Sequence, residues 1–208
     1  NHFVKNGRWN DMTFCTTYKK KLKNWRLIGK TIAEIAKIRG TEPFDALCNL
    51  IIEEENEAYA LGPGVNMDEK IELMKHPVVM AASDSSVTVA TKPWTDEWAQ
   101  PKRVYGTYAD LLGSWVREKG ILSLEKAVRK MTSLPARTLA IRDRGLVLEG
   151  MKADIVIFNL ETVKEMSTHD DPHRYPEGIE FVIVNGEIAK EQGEHTGKLS
   201  GKILNYDP

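Results

Sequence analysis

Five consecutive apolar residues, Val78 to Ala82, constrain the fold of this chain more than any other stretch. A strand that is apolar throughout, rather than alternating with polar residues, is usually covered on both faces, as in a parallel sheet. Pro77 separates this run from a helical pattern over Met67–Lys75, because the residue before a proline is disfavoured in a helix. The sequence therefore predicts a buried strand that follows a helix.

Upstream of this run the sequence predicts one strand and two helices. The strand is Met12–Thr17, which is rich in residues that favour a pleated surface. Thr31 and Glu34 have the spacing of a capping box and Gly40 suits a helix C-terminus, so the first helix is predicted there. The second helix starts at Pro43 and carries one buried apolar stripe. The predicted members of that stripe are Phe44, Leu47, Cys48, Ile51 and Ile52.

Downstream, residues 87–106 are predicted to form a long loop that holds Trp94 and Trp98, whose rings could wall a ligand pocket or fix the loop. A helix follows, with Thr107 as its cap and Gly120 as its stop. Ser123 opens another helix, and Pro135 restarts a short one.

The sequence pattern changes near Gly145, so we predict one domain over residues 1–144 and a second, small β domain over 145–208. Strands are expected at Leu146–Leu148 and Asp154–Phe158. The pair Asn185-Gly186 between two apolar runs is a strong hairpin signal and joins strands that begin at Ile179 and Glu187.

Composition excludes several classes of protein. The 208 residues carry 29 Lys and Arg against 30 Asp and Glu, a net charge of −1, which is not the footprint of a protein that binds nucleic acid or an anionic membrane. No apolar run reaches the 18 residues of a membrane span. A soluble, cytoplasmic protein is the expectation.

Asp84 is the main candidate for chemistry. Strands that alternate with helices indicate an α/β fold, in which reactive groups follow the carboxyl ends of the strands, and Asp84 comes two residues after Ala82. A carboxylate there can hold a metal ion or move a proton for an activated water. It can also simply cap the backbone of the following loop, as aspartates often do.

Three stretches resemble one enzyme family. They are "HPVVMAASDSS", "YGTYADLLGSWVREKGILSLEKAVRKMTSLPARTLAIRDRGLVLEGMKADIVIFN" and "DDPHRYPEGIEFVIVNGE". Together they are similar to the C-terminal half of the N-acyl-D-amino-acid deacylases, or D-aminoacylases, of the amidohydrolase superfamily. The resemblance covers about Thr31 to Lys202.

This resemblance implies the C-terminal part of a metal-dependent (β/α)8 barrel, followed by strands of a small β-sandwich. It implies that Asp84 is a zinc ligand and the general base and acid that hydrolyses the amide of an N-acyl-D-amino acid. Ser83, Ser85 and Tyr105 are the expected substrate contacts. Alternatives are a cyclic-amide hydrolase of the dihydroorotase or hydantoinase kind, and a catalytically incomplete chain with a structural or interaction role.

The sequence also departs from the family. Ser85 stands where the family usually has glycine, and Gln100–Val104 replaces its His-Pro-Arg run. None of the five histidines, including His76, His173 and His195, is at a position of the family's metal ligands, and a complete barrel takes about 250 residues. We therefore expect the upstream half of the same barrel to supply most zinc ligands, and the isolated chain to be inactive.

The roles of two groups of charged residues stay open. Arg137, Arg142, Asp143 and Arg144 could bind an anion or form an ion-pair network that joins the two domains. Lys19, Lys20, Lys21 and Lys23 could attract a substrate carboxylate or form a solvated loop.

Overall fold

The computed structural model describes residues 8–15, 22–57, 59–62, 66–85, 102–168, 171 and 173–204. The chain divides into two compact units. The first contains residues 1–66 and 92–100, and the second contains residues 67–91 and 101–208. The predicted domain boundary between residues 144 and 145 stays a prediction. Trp94, Trp98 and Lys19–Lys21 lie outside the described residues.

The first unit packs two helices beside a two-stranded sheet. The core consists of Phe14, Leu22, Ile32, Ile35, Ala36, Ala46 and Leu50. Its elements are β1 (Thr13–Cys15), α1 (Ile32–Arg39), α2 (Pro43–Glu53) and β2 (Tyr59–Leu61).

Local signals determine α1 as predicted. The Thr31 hydroxyl accepts the Glu34 N–H and the Glu34 carboxylate accepts the Thr31 N–H, so the capping box is complete. Gly40 ends the helix in the left-handed conformation, with φ of 64°. This end needs no tertiary contact, because glycine adopts positive φ without steric cost.

The predicted buried stripe of α2 is right for Leu47, which packs against the core, and wrong for three of its other members. Ala46 and Leu50 face the core, whereas Phe44, Ile51 and Ile52 are 50%, 40% and 73% exposed. Apolar spacing identified the helix, but it did not identify the face that packs. The exposed residues form an apolar surface on the far side of α2.

The strands of the first unit also differ from the prediction. β1 pairs antiparallel with β2, with Phe14 opposite Ala60. The alternation of strands and helices in the sequence had instead indicated parallel strands. The second predicted strand, Val78–Ala82, is wrong: Pro77 and Val78 form a turn and the following residues pair with no strand among those described. Val78 is 67% exposed. A strand exists only where a neighbour satisfies its N–H and C=O groups, and no described strand does so here.

The second unit joins a helical layer to a four-stranded antiparallel sheet of order β3-β4-β5-β6. Its helices are α3 (Met67–Lys75), α4 (Arg103–Asp110), which continues as a π-helix over Leu111–Glu118, α5 (Leu124–Met131) and α6 (Ser133–Thr138). Its strands are β3 (Ile155–Phe158), β4 (Ile179–Val184), β5 (Glu187–Glu191) and β6 (Glu194–His195).

The β4–β5 hairpin is confirmed. Asn185 and Gly186 have φ of 50° and 84°, the two left-handed residues that a type I′ turn needs. The predicted strand Leu146–Leu148 is wrong, because these residues pair with none of the described strands, and Val147 is 81% exposed.

The helical layer follows most of its sequence signals. Ser123 caps α5 by accepting the Lys126 N–H, and Gly120 ends the preceding helix with φ of 59°. The prediction of Thr107 as a cap is wrong, since the helix begins at Arg103 and the Thr107 hydroxyl donates to the Arg103 carbonyl. None of the described helices is long and apolar enough to cross a bilayer.

Candidate functional site

The segment that leads to Asp84 runs from the end of α3 across the helical layer of the second unit. Ala81 packs beside Ile71 and Met74 against a core of Leu111, Trp115, Leu122 and Ala127. The Ala81 N–H donates to the Lys130 carbonyl at 3.2 Å. The segment is thus held by packing and by bonds to α5 instead of by a sheet.

Asp84 is at the exposed end of this segment. Its side chain is 94% exposed, and its backbone is left-handed, with φ of 50°. Aspartate is one of the few residues that adopt this conformation at low cost. Arg103 donates from Nε to the Asp84 carbonyl at 2.9 Å, and its Nη2 lies 3.6 Å from Oδ2.

The two serines flank Asp84 and contact each other. The Ser85 hydroxyl donates to the Ser83 carbonyl at 2.9 Å, which closes a tight turn around Asp84. Ser85 stands where the family usually has glycine, but the residue in the left-handed conformation is Asp84 and not Ser85. Ser83, Asp84 and Ser85 are therefore together, with Arg103 as a fourth member.

Tyr105 belongs to a different group. Its hydroxyl lies 3.3 Å from His173 Nδ1, and its ring meets the Tyr175 ring edge-on with centroids 5.8 Å apart. His173 is only 5% exposed. A buried contact of this kind fixes both side chains.

A groove of about 880 Å³ lies between the helical layer and the sheet of the second unit. Most of its lining is apolar, from Tyr108, Leu112, Leu124, Val156 and Ile179, and Tyr105 lies at its wall. Ser83, Asp84 and Ser85 do not line it. The groove therefore belongs to the packing between helices and sheet rather than to the Asp84 turn.

The charged cluster joins the helical layer to the sheet. Arg144 pairs with Asp154 and donates to the Asn185 side-chain carbonyl at 2.6 Å, while the Asn185 N–H donates to Asp154 at 2.7 Å. Burial would raise the pKa of Asp154, but the Asn185 N–H and Arg144 outweigh it and lower that pKa. For Arg144 the ion-pair interpretation is confirmed.

The described residues do not form a zinc site on their own. Among them, no three His, Cys, Asp or Glu side chains converge, and Asp84 offers a single carboxylate with the Arg103 cation 3.6 Å away. A zinc site needs three or four protein donors.

The sequence did not predict two residues that hold this segment: Arg103, which contacts Asp84, and Lys130, which contacts His76, Val79 and Ala81. Arg103 gave no signal, since the contact depends on tertiary placement. Lys130 did give one: it falls three residues after Ala127, on the buried face of an amphipathic helix, where an apolar residue would be expected.

The similarity of this chain to known proteins shows its family. The profile described as "Amidohydrolase family" matches residues 25–189, so the chain belongs to that family. The chain is 34% identical over 179 residues to the N-acyl-D-glutamate deacylase of Alcaligenes xylosoxydans xylosoxydans. This match covers 86% of this chain and 34% of that protein. It thus spans about a third of the length of this curated relative.

Two solved structures share the fold. A D-aminoacylase, described as defining a novel subset of amidohydrolases, superposes with a TM-score of 0.73 at 29% identity, over 93% of this chain and 38% of that one. The N-acyl-D-glutamate deacylase of Bordetella bronchiseptica, complexed with zinc and a phosphonate inhibitor, gives 0.69 at 29% identity, over 92% and 37%. The expected resemblance to D-aminoacylases is confirmed.

Proposed function

We propose that this chain is the C-terminal part of a zinc-dependent amidohydrolase that hydrolyses N-acyl-D-amino acids to a carboxylate and a D-amino acid. The observation that carries the proposal is the exposed carboxylate of Asp84, the residue that the family resemblance implies is the catalytic aspartate. Its relatives named above are deacylases of N-acyl-D-amino acids or D-aminoacylases.

Asp84 has the chemistry that amide hydrolysis requires. As a carboxylate it takes a proton from the attacking water, whose oxygen forms the new C–O bond, and it then gives that proton to the amide nitrogen as the C–N bond breaks. Its 94% exposed side chain is open to a substrate from solvent. Arg103 holds the Asp84 carbonyl, so the carboxylate projects from a fixed turn.

Ser83, Ser85 and Tyr105 are proposed substrate contacts. The Ser85 hydroxyl is exposed beside Asp84, so a substrate carboxylate could replace the Ser83 carbonyl as its acceptor. Tyr105 is two residues beyond Arg103, and because its hydroxyl contacts His173, we propose its ring as the part that a substrate would contact.

For zinc, we propose that Asp84 supplies one ligand and that polypeptide beyond these residues supplies the others. This division is consistent with the share of the D-glutamate deacylase that the chain covers, which is 34% of its length. The prediction is that the 208-residue chain alone binds zinc weakly, because one carboxylate cannot replace the metal's hydration shell.

The upstream half of the barrel is the proposed partner. Three exposed apolar surfaces support it: the outer face of α2, the residues Leu146–Leu148, and Val156 and Ile157 of β3, which are 52% and 44% exposed. β3 is also an edge strand with one side unpaired among the described strands. Exposed apolar patches and open edges of this extent usually mark an interface.

A substrate panel tests this function on the complete protein. N-acetyl-D-glutamate, N-acetyl-D-leucine, their L-enantiomers, and the cyclic amides hydantoin and dihydroorotate would be compared by release of free amine or ring opening. The proposal expects turnover of at least one N-acetyl-D-amino acid and none of its enantiomer. Turnover of cyclic amides alone would indicate the alternative hydrolase, and no turnover with zinc bound would indicate a structural role.

A further inference from the structure

Lys130 is a buried cation whose hydrogen bonds go to backbone carbonyls. The residue is 2% exposed, and its Nζ donates to the carbonyls of His76 at 2.6 Å and Val79 at 2.8 Å. Burial lowers the pKa of Lys130, and the nearby charges of Arg129 and Lys126 lower it further. A lysine is seldom buried unless its ammonium is bonded, so these two carbonyls account for its position.

Two more bonds connect the same turn of α5 to the same segment. The Lys130 carbonyl accepts the Ala81 N–H at 3.2 Å, and Arg129 Nη1 donates to the Pro77 carbonyl at 2.8 Å. Residues 76–81 are therefore held at four backbone groups by two adjacent residues of α5. None of the described strands pairs with this segment, so these four hydrogen bonds hold it instead of a sheet.

The held segment ends close to Asp84. Ala81 is its last bonded residue, so only two residues separate it from Asp84. The next fixed point is the turn itself, where Ser85 closes on Ser83 and Arg103 holds the Asp84 carbonyl. Errors of about 1 Å in the placement of a reacting group can lower a rate about a hundredfold, so a shift of residues 76–81 that reached the carboxylate would be measurable as a rate.

We propose that Lys130 is a positioning residue for Asp84: through the carbonyls of His76 and Val79 it fixes the segment from which the Asp84 carboxylate projects. The catalytic part of this inference rests on the proposed function, in which Asp84 moves the proton. The structural part does not, and it can be measured without any activity.

The test compares Lys130→Met, which keeps the length and removes the donors, with Lys130→Arg, which keeps a cation. Lys126→Met is the matched control, because Lys126 is exposed one turn earlier on the same helix. Hydrogen exchange of the 208-residue chain is followed in peptides covering 76–85 and, for reference, 103–118. Urea unfolding reports global stability.

We expect Lys130→Met to speed exchange over 76–85 by about tenfold or more while 103–118 stays as in the unsubstituted chain, and Lys126→Met to change neither. Unchanged exchange over 76–85, or equal acceleration of both peptides, would overturn the inference. If Lys130→Met does not fold, Arg129→Met is the deciding variant. Arg129 is exposed, and its substitution removes only the hydrogen bond to the Pro77 carbonyl. It should speed exchange over 76–85 alone, and no change there would count against the anchor.

Kinetics of the complete protein test the catalytic part. Lys130→Met should lower kcat about tenfold to a hundredfold with little change in KM, and Lys130→Arg should restore part of the loss. Faster exchange with unchanged kcat would refute a role in positioning Asp84. If the unsubstituted protein has no deacylase activity but Lys130→Met still releases 76–85, the proposed function fails and the anchor stands.

Discussion

Arg103 contacts Asp84 through both the backbone and the side chain: its Nε donates to the Asp84 carbonyl at 2.9 Å, and its Nη2 lies 3.6 Å from Oδ2. The two residues are 19 positions apart, and the first turn of α4 brings them together. The contact therefore fixes the start of a helix to the turn that carries the candidate catalytic group.

Arg103→Met tests this contact. Because both side chains are largely exposed, the loss of their ion pair should change the free energy of unfolding by less than about 1 kcal/mol. Activity of the complete protein should fall by much more, since the Asp84 turn loses a fixed point. Urea unfolding and steady-state kinetics measure the two effects, and a parallel loss of stability and activity would contradict this account.

Glu54 should be important for the stability of the first unit. It is 4% exposed and accepts the N–H groups of Lys23 at 2.9 Å and Asn24 at 2.7 Å, as well as the Asn24 side-chain amide. Glu54→Ala removes the acceptor of both backbone N–H groups, while the Asn24 amide keeps Glu53, and this should cost about 2 to 4 kcal/mol of unfolding free energy. Glu54→Gln keeps one acceptor and should lose less. Equal stability of the two variants in urea unfolding would contradict this role.

Gly178 is needed for two separate reasons, and a matched pair of variants separates them. Its φ is 76°, and a Cβ there would meet the Val163 backbone at 2.5 Å, whereas Gly197 has φ of 83° with nothing within 4 Å. Gly197→Ala should therefore cost only the left-handed strain of about 1 kcal/mol. Gly178→Ala should cost at least about 2 kcal/mol more, because backbone must move. Thermal or urea unfolding of both variants provides the comparison.

Asp154 should make stability depend on pH in the acid range. Burial alone would raise its pKa, but the Asn185 N–H and Arg144 lower it below its ordinary value. A lowered pKa in the folded state means that the stabilisation is fully present above the unfolded pKa, near 4, and is lost as pH falls through the folded pKa. In urea unfolding between pH 2 and 6, Asp154→Asn should reduce the loss of stability below about pH 4. An unchanged pH profile would show that the pair with Arg144 contributes nothing.

The sequence predicted best what neighbouring residues determine. The capping box at Thr31 and Glu34, the stop at Gly40 and the turn at Asn185-Gly186 all form through bonds within a few residues, so their signals suffice. The strand at Val78–Ala82 and the exposed members of the α2 stripe were predicted wrongly for one physical reason. Both depend on a partner surface, and an apolar pattern states that a residue favours burial without stating what covers it.

For the candidate site, the position of Asp84 came from its place after an apolar run and from the family resemblance. Its contact with Arg103 and the anchor at Lys130 could not be predicted, because both join residues that are distant in sequence. The sequence did contain one signal for Lys130, which is a cation on the buried face of α5.

The most direct test of the central claim is the deacylation rate of the complete protein with Asp84→Asn, assayed on the N-acetyl-D-amino acid that it turns over fastest. Asp143→Asn, an exposed aspartate outside the site, is the matched control. If Asp84 moves the proton, Asp84→Asn should lower kcat by at least about a hundredfold with unfolding unchanged, and Asp143→Asn should leave kcat intact. Activity of Asp84→Asn within a few fold of the unsubstituted protein would contradict the claim.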